Sequence, residues 1–180
     1  MRHQILLLCF LSFGCAGSEF ANRFVSKQIE VEYDRFKDIT TYKTRPPIES
    51  STGFTTNLQI TASFICNGQQ MCHPDKIYLS LYSSSQSGSQ YNANSELIFI
   101  ADSVRINLGS LVVASERDRV LSFVYEMMGT DISIAQLDRL ANATSVDARL
   151  GDNEFKLSYK KREVLRMLYN RLTATDHSVN

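Results

Sequence analysis

The chain has 180 residues, with 19 Lys+Arg against 19 Asp+Glu, so its formal charge is zero and no basic excess exists to recruit nucleic acid by bulk charge. A composition of 43% hydrophobic and 21% charged residues with only 3 Pro excludes a disordered or collagenous chain and predicts a packed core. At about 150 residues per domain, one globular domain is expected.

Residues 1–17, MRHQILLLCFLSFGCAG, place Arg2 ahead of the apolar run Ile5 to Phe13 and end in small residues. A run that short falls below the roughly 20 residues of a membrane-spanning helix, and its layout is that of a secretory signal peptide. Two cleavage modes fit. Gly14 and Ala16 are spaced as an ordinary signal peptidase requires, which releases a chain beginning at Gly17. Alternatively, Leu11-Ser12-Phe13-Gly14-Cys15 resembles a bacterial lipobox, with Phe13 and the early Leu11 departing from the usual pattern; that resemblance implies lipidation of Cys15. Membrane association is then expected only through this anchor, because the longest later apolar runs, such as Leu97 to Ala101, are far too short to span. Removing the leader takes away Arg2 and no acid, leaving 18 bases against 19 acids. Residues 18–27 read as a linker, 28–172 as the domain and 173–180 as a polar tail.

From Gln28, Ile29, Val31 and Tyr33 alternate with Glu30, Glu32 and Asp34, the period of a strand with its apolar side buried. The acids then form a solvated face, with a calcium or basic-partner site as the sharper alternative. Asp38 to Thr44 gives a second strand, stopped by Arg45-Pro46-Pro47. Leu58, Ile60, Ala62, Phe64 and Cys66 alternate with polar residues in a third strand, and Ile77, Leu79 and Leu81 follow as its antiparallel partner.

Between those strands lie Cys66 and Cys72, in ICNGQQMCH. Flanking strands and the central Asn67-Gly68 bring them face to face across a turn, and in an oxidising compartment they form a disulfide. Closing so short a loop contributes about 2.4 kcal/mol in the chain-entropy model. Free thiols, or a metal site joining both cysteines with His73, are the alternatives; a closed zinc site needs four ligands, and three are visible.

Residues 83–95, SSSQSGSQYNANS, read as an exposed loop that buries nothing. Glu96 to Leu108 gives two short strands broken at Asp102-Ser103, and Ser110 to Ala114 and Arg119 to Met127 give two more. Ser133 and Gln136 form a capping box ahead of a helix over 134–142. Val146 to Leu157 is a hairpin turning at Gly151-Asp152-Asn153, and Ser158 caps a last helix over 159–172. That helix turns Val164, Leu165, Leu168, Tyr169 and Leu172 inward and Lys160, Arg162 and Arg166 outward. Acids on the first strand and bases on the last helix make a dipolar surface out of a neutral total. The predicted fold is mainly β: seven to nine strands in an antiparallel sandwich or open barrel, with a short helix near 134–142 and a C-terminal helix near 159–172.

The segments YDRFKDITTYKT, SELIFIADSVRINLG and ISIAQLDRLANATSVDARLGDNEFKLSYKKREVLRML carry a resemblance. Through Leu137 to Ala143, Arg149, Gly151 and Glu154-Phe155, the chain resembles uncharacterised bacterial secreted and lipoprotein-like β-rich proteins with a C-terminal helix. The resemblance implies a fold and an exported location, in the periplasm or at the envelope surface, and assigns no catalytic residue.

Within the body His73 is the sole histidine, and no Gly-x-Ser-x-Gly, His-Glu-x-x-His, P-loop or dinucleotide glycine pattern occurs. Asn142-Ala143-Thr144 matches a glycosylation sequon, which matters only in a eukaryotic secretory pathway. No cofactor or metal is expected. The expected function is non-enzymatic: a β-rich envelope module contacting an envelope protein or a cell-wall component. A carrier of a small apolar ligand, and a hydrolase using His73 with a nearby acid in a deep pocket, are the alternatives.

Overall fold

A computed structural model describes residues 28–45, 58–85, 88–117 and 124–174; the expected leader, Cys15, the expected linker, Pro46-Pro47, residues 119–123 of the strand expected over 119–127, and the tail beyond Ala174 lie outside them. Among the described residues the strands are β1 (Ile29–Asp34), β2 (Ile39–Thr44), β3 (Gln59–Asn67), β4 (Ile77–Ser85), β5 (Glu96–Ala101), β6 (Val104–Ser110), β7 (Val112–Arg117), β8 (Val124–Ile132), β9 (Val146–Leu150) and β10 (Asn153–Lys156). Helix α1 (Ile134–Asn142) precedes β9, and α2 (Tyr159–Thr173) ends the fold. Strands form two open antiparallel sheets: six in the order β1-β2-β3-β4-β8-β7, and four in the order β10-β9-β5-β6. The antiparallel sandwich is therefore present, with one strand more than the upper end of the expected range and without barrel closure.

Period-two patterning explains the inner faces. Ile60, Ala62, Phe64 and Cys66 of β3 are buried, and Ile60 and Ala62 sit opposite Leu81 and Leu79 of β4; Leu81 and Ile77 in turn face Met128 and Ile132 of β8. In the small sheet, Leu97, Phe99 and Ala101 of β5 face Leu150, Ala148 and Val146 of β9. Both inner faces join one apolar cluster with Leu137, Leu140, Leu165, Leu168 and Leu172 of the helices. Full burial of each such side chain contributes about 1.5–3 kcal/mol. A single residue, the buried Leu111, carries the chain from β6 in one sheet to β7 in the other.

The capping box predicted for α1 is present: Ser133 Oγ accepts from Gln136 N at 3.2 Å, and Ser133 N donates to Gln136 Oε1 at 2.8 Å. Leu137, Leu140 and Ala141 then meet the core at helical spacing. Ser158 caps α2 by accepting from Lys161 N at 3.3 Å. This helix packs on α1 and against β1, β2 and β3. Tyr169 donates to Asp138 between the helices, and partial burial together with that carboxylate raises its phenol above the ordinary value. The hairpin of β9 and β10 turns at Gly151-Asp152, one residue tighter than expected, with Gly151 at φ +57°.

Three expectations need correction. On β1, Ile29 is buried but Val31 is 50% exposed and Tyr33 39% exposed. The strand is present, but its apolar side is buried only at Ile29, because β1 is the edge strand of its sheet. Second, residues 83–95 are not a wholly exposed loop. β4 continues to Ser85, and Ser83, Ser85, Tyr91 and Ser95 are buried. Third, the basic face of α2 is partly engaged: Lys161 Nζ donates to Leu58 O at 3.1 Å, Arg162 donates to Leu157 O at 2.8 Å, and Arg166 pairs with Glu163. Arg162 and Arg166 are half-buried, and the Arg166 guanidinium lies 5.6 Å from the Tyr159 ring centroid.

Candidate functional site

The predicted disulfide is present. Cys66 and Cys72 are bonded to each other, with Cα atoms 5.5 Å apart, so neither thiolate is free for a metal. Cys66 sits in the core cluster while Cys72 is half-buried, so the bond ties the 68–75 loop to the end of β3. His73 follows on this loop and is exposed. It borders an open hollow of about 640 Å³ with Asp75, Tyr78 and the pair Lys76–Asp131, whose charged atoms are 3.5 Å apart. That setting lacks the enclosure a His73 hydrolase needs to exclude water and hold a base in register.

On the acidic face of β1, Glu30 pairs with Arg45 at 3.5 Å, and Asp34 accepts from Phe36 N and Lys37 N at 2.9 and 3.3 Å. Among the described residues no group of three His, Cys, Asp or Glu side chains converges on a metal position. Glu30 and Asp34 serve surface pairing and turn formation, worth about 0–1 kcal/mol per exposed pair.

A carboxylate that the sequence reading passed over lies inside. Glu126 points from β8 into the sandwich and is 1% exposed. Its Oε1 accepts from Ser89 Oγ at 2.6 Å and from Gln90 N and Tyr91 N at 3.0 Å each. Among the described residues its Oε2 has no hydrogen-bond partner, and neither has the hydroxyl of buried Ser83, directly opposite on β4. Glu126 therefore latches the 88–95 segment over the inner face. Burial, and secondarily the Glu126 charge, raise the Tyr91 phenol above its ordinary value, while a hydrogen bond with Asn153 pulls the other way. Such a buried, loop-bound carboxylate is structural in its contacts: among the described residues, each donor to it is from the segment it holds.

The outer face of the small sheet differs from the rest of the surface. Two adjacent rungs cross it. One reads Arg105, Ile100, Asp147, Lys156 and the other Asn107, Ile98, Arg149, Glu154, from β6 through β5 and β9 to β10. Ile98 and Ile100 thus point away from the core, two residues apart on β5, and Ile100 is 44% exposed while Ile98 is covered by its neighbours. They form the floor of a half-open groove of about 560 Å³, walled by the flanking charged side chains. Lys156 Nζ lies 3.5 Å from Asp147 Oδ1. Among the described residues, no ion pair within 4 Å engages Arg105, Arg149 or Glu154. With three bases and two acids around it, the groove is locally cationic on a chain of zero formal charge.

The outward isoleucines had a sequence signal. Leu97 to Ala101 is a run of five apolar residues, and a strand cannot point five consecutive side chains to one core. The flanking arginines had none, since only pairing brings Arg105 and Arg149 to the two sides of β5.

Compared with known proteins, the chain matches no family model, and neither a curated protein nor a solved structure is significantly similar to it.

Proposed function

We propose that this chain is a non-enzymatic binding module exported to the bacterial cell envelope, and that the outer face of its small sheet is the binding surface, meeting an envelope protein or a cell-wall component. The observation that carries the reading is the outward strip of Ile98 and Ile100 set inside a ring of charge. Central apolar side chains with a polar rim are the ordinary anatomy of a recognition surface, because the rim keeps the free protein soluble while the centre supplies the gain on desolvation. Export is supported by the Cys66–Cys72 disulfide, which persists in oxidising compartments, and by the leader-like residues 1–17. Anchoring through lipidated Cys15 is part of this reading.

Two measurements test it. A photo-crosslinker placed at position 100 should yield a discrete adduct in the native host, whereas one at Lys160 on the far helix should not; equal labelling from both positions refutes the surface assignment. Intact mass of the native protein should correspond to a chain starting at Cys15 with acyl groups; a chain starting at Gly17 removes the anchor and keeps the export. A second reading, a carrier of a small apolar ligand, is favoured by the groove's volume of about 560 Å³, within the roughly 300–1,000 Å³ range of small-molecule sites.

A further inference from the structure

The charge pattern around the groove is specific enough to name a ligand chemistry. The apolar floor is one strand wide: Ile98 and Ile100 stand about 7 Å apart along β5, and charged or amide side chains rise on both sides of each. A single extended aliphatic chain matches a narrow strip bounded by polar walls. Of the charges, Asp147 is neutralised by Lys156. Glu154 stands directly opposite Arg149 across β9 and β10, without an ion pair within 4 Å. Arg105 occupies the β6 edge on the rung of Ile100, the more exposed of the two isoleucines, with no acid paired to it among the described residues. An exposed guanidinium beside an exposed aliphatic floor presents a planar fork that a carboxylate engages through two parallel hydrogen bonds.

Resting on the second reading above, that this groove carries a small apolar ligand, we propose that it takes a single-chain fatty carboxylate, the acyl chain lying along Ile98 and Ile100 and the carboxylate seated on Arg105. Arg149, on the opposite side of β5, adds cationic potential that favours an anionic head and disfavours a cationic one. Lys156 is tied to Asp147 and contributes less.

The test uses the exported chain with its disulfide intact and dodecanoate below its micelle concentration, followed by calorimetry and by backbone amide shifts. Dodecanoate should bind one to one and shift the amides of Ile98, Ile100 and Arg105. Dodecyltrimethylammonium, with the same chain and the opposite head, should bind at least about tenfold more weakly, and butyrate, with the head and little chain, should not saturate. Arg105→Ala, an exposed substitution that leaves the fold intact, should weaken dodecanoate about tenfold while leaving the thermal midpoint unchanged. Arg149→Ala should weaken it less. Equal binding of both amphiphiles at the groove, with Arg105→Ala silent, overturns the carboxylate assignment while leaving the groove as a binding face. Butyrate binding as tightly as dodecanoate overturns the acyl-chain assignment. Failure of dodecanoate to move any groove amide overturns the proposal outright, and crosslinking from position 100 then decides the binding-face reading separately.

Discussion

Replacing Glu126 should release the 88–95 segment, and the size of the effect follows from what its two oxygens do. Oε1 takes three donors, two of them the main-chain N–H groups of Gln90 and Tyr91. A hydrogen bond to a charged group is worth about 1.5–3 kcal/mol in isolation, but three donors sharing one oxygen are not additive. Against their loss stands the relief of unburying a carboxylate whose Oε2 lacks a partner, about 1–3 kcal/mol. Glu126→Ala should therefore destabilise by about 3 kcal/mol, a large share of the roughly 5–15 kcal/mol typical of a domain. Glu126→Gln should cost about 1 kcal/mol only: its amide oxygen keeps the three donors, and its new N–H₂ lies where Oε2 was, opposite the Ser83 hydroxyl that has no partner. Urea unfolding gives the free energies, and amide exchange at Gln90 and Tyr91 gives the local effect. An alanine variant within 0.5 kcal/mol of the parent, or with unchanged protection at those two amides, would refute the latch.

Tyr91 gives a pH signature. Its phenol is raised above 10.0, so the neutral form is favoured in the folded state, and its contribution is fully present below pH 10 and lost as pH climbs through the folded value. The urea midpoint should fall more steeply above pH 10 in the parent than in Tyr91→Phe, and parallel curves would contradict this. The double variant Cys66→Ala, Cys72→Ala should lose about 2–3 kcal/mol, chiefly the loop-closure term, and should become insensitive to dithiothreitol; unchanged sensitivity would mean that reductant acts elsewhere. On the outer face of the large sheet, a Cβ at Gly129 would overlap the ring of Tyr78. Gly129→Ala should cost about 1 kcal/mol as the ring swings into solvent, and much less in a Tyr78→Ala background; equal costs in both would show that ring and glycine do not interact. Ser133→Ala should remove the capping box and lower stability by about 1 kcal/mol, read from the thermal midpoint.

Where one residue's neighbours in sequence carried the information, the reading succeeded. The capping box at Ser133 and Gln136, the helix faces of Leu137 and Leu165, and the alternation in β3 all follow from local periodicity, and all are present. It failed where a distant element decided the outcome. Val31 and Tyr33 obey the alternation of a buried face, yet remain exposed because β1 lies at the edge of its sheet. The serine-rich stretch 83–95 looked uniformly polar, but a carboxylate some 35 residues later gives its backbone a buried acceptor, which lets Tyr91 and Ser95 go inside. Arg105 and Arg149 belong to separate strands, and only the pairing of β6, β5 and β9 places them on the two sides of the same isoleucines.

By itself, then, the amino-acid order determined the class of fold, the helices with their caps, the facing cysteines and the absence of bulk charge for nucleic acid. Each of these depends on spacing along the chain or on totals, quantities that folding does not alter. Tertiary structure decided which strands became edges, which polar stretch was drawn inside by Glu126, and where the balanced charge collects. A sum of zero constrains no location, and only the register of four strands brings Arg105 and Arg149, neither in an ion pair among the described residues, beside an outward apolar strip.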